Sequence, residues 1–228
     1  IRKMLRKGTL YSDFATPMQG TSTGDNSLFV DFMWQKSHDS EWRSASKGGS
    51  FSRWQGLTYY AVRWGEQGEL IKANKGSAIR NLGKMEDTQL VFSDTGTLGL
   101  NVRLKIEDQI FIASGPGILA KRGDVFAHLG FLNSTFATYV LRKLNRKLTV
   151  AAGYIARLPV TEGVLTDKKV SSLAKALYEE KKNILSKRII ESCYVFEAIP
   201  QSGLKKHVEH IATNYFRTEI RIHNSYSN

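Results

Sequence analysis

The sequence predicts an α+β fold: a β-rich basic body over residues 1–160 that includes an amphipathic helix, followed by a helical tail over 161–228. Three observations support this. Short apolar runs with strand-like alternation, punctuated by glycines, fill the chain to about residue 120. From about 125 the apolar residues recur at steps of three and four, the signature of a helix with one buried face. The 228 residues are 41% hydrophobic and 24% charged, which suits a folded chain able to bury a core.

Residues 1–27 read as loop, with Thr16-Pro17, Gly20 and Gly24-Asp25-Asn26 as breakers. The run Leu28 to Trp34 predicts a strand, with Leu28, Val30, Phe32 and Trp34 on one face. Residues 35–56 are polar around Lys47-Gly48-Gly49-Ser50, and Thr58 to Trp64 is again β-prone, ending at Gly65 and Gly68. A charged, irregular stretch over 72–88 precedes short β-like runs at Gln89–Phe92, Leu98–Leu104 and Gln109–Ala113. Leu129, Leu132, Phe136, Val140 and Leu144 then predict one amphipathic helix of about 20 residues. Tyr154 to Val160 predicts a short edge strand, because Pro159 cannot donate to a ladder. Asp167 or Thr166 caps the next helix, whose stripe is Val170, Leu173, Leu177, Ile184 and Leu185. After Pro200-Gln201-Ser202-Gly203, a third helix begins with Leu204, Val208 and Ile211.

A single cysteine, Cys193, excludes an internal disulfide framework and a Cys-based structural zinc site. A reducing, cytoplasmic compartment is therefore expected. No apolar run reaches the roughly 18 residues of a membrane span, and no membrane association is expected. A chain opening on Ile1 is expected to be a segment of a longer polypeptide. The net charge of +12 points to polyanionic partners, nucleic acid first. The first 160 residues carry 22 basic and 13 acidic side chains, the remainder 11 and 8, and all four tryptophans lie in the first part. Basic residues interleaved with Trp, Tyr and Gly suit phosphate pairing and base stacking, although a partner-free basic surface has the same composition.

No catalytic constellation stands out. Neither GxGxxG nor GxxxxGK[ST] occurs, and Ser114-Gly115-Pro116-Gly117 reads as a turn. His207 and His210 share a helix face without further ligands, and His38-Asp39 sits in a polar loop. Asp167-Lys168-Lys169 reads as a helix start rather than half of a nuclease site, and Cys193 as a core residue.

Two loops look like recognition elements. Gly20 to Asn26, with Thr23, Gly24, Asp25 and Asn26 at its end, is small and glycine-containing, so its backbone can approach another surface. The second runs from Trp42-Arg43 through Lys47-Gly48-Gly49 to Arg53-Trp54-Gln55-Gly56, placing cations around a glycine pair with Phe51 and Trp54 as expected anchors. Arg43, Lys47 and Arg53 are its candidate phosphate or base contacts, with Arg80, Lys84 and Arg103 as further candidates. Arg142, Lys143, Arg146 and Lys147 near a helix end either meet phosphate or complement the helix dipole.

The ordered set Thr23-Gly24-Asp25-Asn26, Lys47-Gly48-Gly49, Arg53-Trp54-Gln55-Gly56, Val62-Arg63-Trp64, Leu132-Asn133-Ser134 and Arg157-Leu158-Pro159-Val160 resembles one family. It is the C-terminal target-recognition region of BREX adenine methyltransferases and related type IIG (Eco57I/TaqI-like) restriction-modification enzymes. The resemblance spans about residues 18–160 and continues weakly to Glu191-Ser192. Gln55 and Leu57 replace the family's Tyr and Asn, and Leu144-Asn145-Arg146-Lys147 replaces its LNPT. The family's NPPY and S-adenosylmethionine motifs are absent from this stretch.

The resemblance implies a DNA-binding target-recognition domain over 1–160 and a tail or spacer over 161–228, with no catalytic residue and no cofactor in this chain. Duplex DNA would be one partner. A methyltransferase domain of the same polypeptide, using S-adenosylmethionine on a flipped adenine, would be the other. Three alternatives stay open: a stand-alone regulatory or anti-restriction DNA-binding protein, a protein-interaction module, and a fragment of a type I specificity subunit.

Overall fold

A computed structural model describes residues 9–36 and 39–194. Its strands are β1 (Ala15–Met18), β2 (Val30–Phe32), β3 (Trp42–Ser46), β4 (Tyr60–Arg63), β5 (Leu90–Phe92), β6 (Val102–Leu104), β7 (Ile110–Phe111) and β8 (Gly117–Ala120). The helices are α1 (Asn26–Phe29), α2 (Met33–Lys36), α3 (Glu69–Lys72), α4 (Val125–Asn133), α5 (Thr135–Leu144), α6 (Ala152–Ala156), α7 (Glu162–Leu165) and α8 (Lys168–Leu185). The fold is α+β, as the sequence predicts.

Two four-stranded sheets run in the orders β1-β8-β5-β6 and β2-β4-β3-β7, with only the β3–β7 pair parallel. Side-chain alternation stacks them with the helices into three layers. Leu90 and Phe92 of β5 join the core beneath the helices, whereas Val91 between them joins the core shared with the second sheet. Ile118 of β8 likewise faces the helices, and its neighbour Leu119 packs on the other core. The first sheet is thus covered on both faces.

The three longest helices, α4, α5 and α8, start where a side chain caps them. Asp124 Oδ1 accepts from the backbone N–H of Phe126 and Ala127, at 2.9 and 3.0 Å, to start α4. The same oxygen accepts from Ser171 Oγ at 2.6 Å, tying α4 to α8. Asp167 Oδ1 caps α8 through Lys169 and Val170. Helix α8 then lies along α4: Ala174 is buried in the common core, Leu177 and Tyr178 pack on it, and the Phe126 and Tyr178 rings meet edge-on at 5.8 Å.

Several sequence expectations are corrected. The single helix of about 20 residues is two, because Ser134 is extended (φ −68°, ψ 154°) and restarts the chain as the cap of α5. Residues 154–160 do not form a strand. Residues 152–156 are helical, and the extended part is a bridge from Leu10 to Pro159, with Tyr11 N–H donating to Leu158 O at 2.8 Å. The Leu28–Trp34 strand shrinks to β2 between two helical turns, which puts Phe29 in the core and leaves Leu28 61% exposed. β1, β3 and β8 occupy stretches for which the sequence predicts no strand. The third helix expected from Leu204, together with His38, His207 and His210, lies outside the described residues.

Candidate nucleic-acid interface

The loop over residues 20–26 is an extension of the second sheet. Thr21 bridges Ile112 and Ser22 bridges Ala78, continuing the ladder beyond β7. Gly20 lies so close to this ladder that a Cβ there would collide with the Ile112 carbonyl. Thr23-Gly24-Asp25-Asn26 builds the start of α1. Thr23 is buried and donates its hydroxyl to Asn26 Oδ1 at 2.8 Å, and Gly24 takes a left-handed φ of 77°. Asp25 Oδ1 accepts from Ser27 Oγ at 2.6 Å and Ser27 N–H at 2.8 Å, bonds that hold its carboxyl below the usual carboxylate range. An ionised carboxylate turns phosphate away, but it can accept from a base amino group such as cytosine N4.

The second loop leaves β3 and crosses between the sheets. Arg43, on β3, reaches Asp108, with Nη2 at 3.3 Å from Oδ1, so its charge is already paired. Lys47 sits at the exit of β3 with Nζ 4.6 Å from the centre of the Tyr60 ring, and has no carboxylate partner among the described residues. Gly48 is buried so tightly that a Cβ would strike the Ser114 carbonyl, whereas Gly49, at φ 101°, faces open space. Beyond it, Trp54 is buried and clipped to β6, its N–H donating to Val102 O and its carbonyl accepting from Leu104 N–H. Arg53 donates Nε–H to Leu100 O at 3.1 Å and lies 5.4 Å from the Phe51 ring. Trp54 is an anchor as expected, but Phe51 is 38% exposed and faces outward.

Arg80 lies against the first loop, its N–H donating to Thr21 Oγ1 at 3.3 Å and its Nη1 to Gly20 O at 3.4 Å. Lys84 is exposed on a 3-10 turn over Leu82–Lys84. Two cations outside the sequence-predicted set, Lys72 and Lys75, are exposed beside this loop, since Gly24 abuts Asn74, Gly76 and Ser77. Only the dense charge of residues 72–88 signals them.

Arg103 is corrected. It is 1% exposed and points between the sheets, because its β6 neighbours Val102 and Leu104 face the helices. Its Nη1 donates to Asn101 Oδ1 at 2.9 Å and Ser93 Oγ at 3.1 Å, and burial pushes its guanidinium down to about 10, with Glu191 and Tyr59 opposing that shift. An internal guanidinium of this kind does not meet phosphate. Arg142 is also committed, donating Nη2–H to the Gly96 and Thr97 carbonyls at 3.0 and 2.9 Å. Lys143, Arg146 and Lys147 remain exposed.

The tail reaches back to the second loop. Glu191 is buried and accepts from Leu57 N–H at 3.2 Å and Thr58 N–H at 3.0 Å, and Thr58 Oγ1 lies 2.7 Å from its second oxygen. This carboxylate holds a turn in which both Trp54 and Leu57 have left-handed φ, 71° and 58°. Cys193, expected in the core, is only half-buried; burial raises its thiol pKa, so it rests as a thiol. Among the described residues, no group of three or more His, Cys, Asp or Glu side chains could hold a metal ion, and no helix is long and apolar enough to cross a membrane.

No family model matches the sequence. Over 166 residues it is 25% identical to the adenine-specific methyltransferase PglX of Lacticaseibacillus casei (strain Zhang), an alignment that takes in 63% of this chain and 14% of that protein. The chain therefore spans a small fraction of the length of this relative. A solved structure of the type IIL restriction-modification enzyme MmeI in complex with DNA aligns with 93% of this chain and 32% of that one, at 15% identity and a TM-score of 0.41. The chain is thus similar, at low identity, to a limited region of an adenine-specific methyltransferase.

Proposed function

We propose that this chain is the DNA-recognition segment of an adenine-specific DNA methyltransferase serving a restriction-modification or phage-defence system in the cytoplasm. The observation that carries the reading is the similarity to PglX over 166 residues. The concentration of positive charge in the first 160 residues is consistent with it.

In this reading the chain grips duplex DNA while a separate domain of the same polypeptide carries out methyl transfer from S-adenosylmethionine. Adenine N6 is enclosed in the duplex, so the target base must leave the stack, and the remaining duplex needs a holder. Lys47, Lys84, Lys72 and Lys75 supply charge for the phosphate backbone, which positions without specifying. Specificity falls to polar groups at the loop tips, Asp25 and Asn26 among them, each base contact being worth about 1–3 kcal/mol of discrimination. Residues 1–160 form the recognition unit, and the tail supports it.

The test is a salt titration of binding to a mixed-sequence duplex. Lys47→Ala combined with Lys84→Ala is expected to weaken binding and to flatten the plot of log affinity against log salt by about 0.9 for each phosphate that is no longer neutralised. Unchanged affinity and slope would overturn the assignment of these loops. A protein-docking role is a second reading. It is favoured by an apolar groove of about 520 Å³ lined by Phe131, Phe136, Val160, Val164 and Val170.

A further inference from the structure

The core-side face of the second sheet, where Val30, Val62 and Ala45 lie, runs out to solvent at one end on aromatic rings. Trp34 and Phe32, 49% and 38% exposed, stack with centroids 4.5 Å apart and planes within 7°. Phe32 pairs in register with Tyr60 across β2 and β4, and those rings stack at 5.6 Å and 19°. Tyr59 leans on Tyr60 at 4.7 Å. The result is a continuous, nearly parallel stack, Trp34–Phe32–Tyr60, half open to solvent.

One cation caps it: Lys47 Nζ lies over Tyr60 at 4.6 Å, whereas Lys36 Nζ lies over Trp42 at 4.9 Å on the opposite face of the sheet. Of the acidic groups nearby, Asp31 pairs with Lys36 at 3.5 Å and Glu41 with Arg63 at 2.7 Å, so among the described residues Lys47 brings uncompensated charge to the edge of the stack. Gly49, with no side chain and open space around its Cβ position, follows Lys47 by two residues.

We infer that this stack is a binding platform for an unpaired nucleobase in a DNA strand, with Lys47 meeting the flanking phosphate. A planar ring continues a parallel stack, and every base has a π-face to offer. A cation at the end of the stack also suits the phosphate that flanks a stacked base. A protein partner would gain from the apolar rings but has no equal use for a cation poised over them. The inference deepens the DNA-recognition reading and rests on it, by adding a site for a strand whose bases are out of the helix.

The experiment compares three probes at one salt concentration by fluorescence anisotropy: a single-stranded oligothymidylate, an abasic oligonucleotide of equal length, and a mixed-sequence duplex. The base-bearing strand is expected to bind about tenfold or more tighter than the abasic one. Trp34→Ala should abolish that preference while leaving abasic binding unchanged, and Trp34→Phe should restore most of it. Equal binding of the two strands, or a preference indifferent to Trp34→Ala, would overturn the platform. If the duplex still binds in that case, the recognition reading survives and the rings become a candidate protein contact. If no probe binds, both fall.

Discussion

His128 is a fully buried imidazole whose two nitrogens are both engaged. Nε2 lies 2.7 Å from the Arg122 carbonyl, which can only accept, so Nε2 carries the proton and Nδ1 accepts from the Tyr11 hydroxyl at 2.8 Å. Burial lowers the pKa of this histidine below 6.5, outweighing the Arg122 carbonyl and Asp124. The folded state therefore resists a proton that the unfolded chain accepts. The resulting stability is complete above about pH 6.5 and declines as the pH falls toward the lower folded value. Thermal melts from pH 7.5 to 5 are expected to show the midpoint dropping, and His128→Gln should remove part of that drop; identical pH slopes in the two proteins would contradict the assignment. Nothing in the sequence marks His128 for this role, because Tyr11 comes from a segment 117 residues away and Arg122, six residues before it, contributes only a backbone carbonyl.

At the level of elements, the Leu132-Asn133-Ser134 stretch shows what sequence periodicity conveys and what it omits. The apolar spacing correctly puts Leu129, Leu132 and Val140 inside. It misses the break, which is a side-chain effect: Ser134 Oγ donates to Phe131 O at 2.6 Å and accepts from Ala137 N–H at 3.1 Å, closing one helix and opening another. Asn133, between them, is spent on the sheet, exchanging hydrogen bonds at 2.9 Å with both the N–H and the carbonyl of Val102. Leu132→Ala is expected to destabilise the protein by about 2–5 kcal/mol in urea unfolding, and under the proposed function it should leave any DNA affinity unaltered where the protein stays folded. Loss of affinity at unchanged stability would move Leu132 out of the core. The β2 error has a similar origin: α1 turns the chain by a few residues, so the alternation Leu28, Val30, Phe32, Trp34 never acts as one strand face.

For the molecule as a whole, the fold class was legible because alternation and helical spacing are local properties. The layering was not, since it depends on which sheet face meets which core. Arg103 illustrates the gap: as a cation in a basic body it reads as a surface residue, and only the packing of Val102 and Leu104 turns it inward. The loops were legible as loops, but the Trp34–Phe32–Tyr60 stack was hidden, because β2 and the helical turn α2 supply Phe32 and Trp34 while Tyr60 comes from β4 and meets them only through the strand register. Glu191 is the longest-range example, more than 130 residues from the turn it holds. Glu191→Ala would strand two buried N–H donors and leave Arg103 without its opposing charge. We expect a loss of about 2–4 kcal/mol in unfolding free energy, chiefly from the stranded donors; a loss below about 1 kcal/mol would show that the turn stands without it.

That reach has a practical side. Under the proposed function, a transplant of the Lys47–Leu57 loop between relatives would naturally be cut as a compact cassette ending near residue 160. Such a graft leaves its clasp behind, because the carboxylate that closes the turn is encoded beyond the last described helix. Swaps that carry residues through 191 should keep the loop's shape, and shorter ones should deliver the right letters in the wrong conformation.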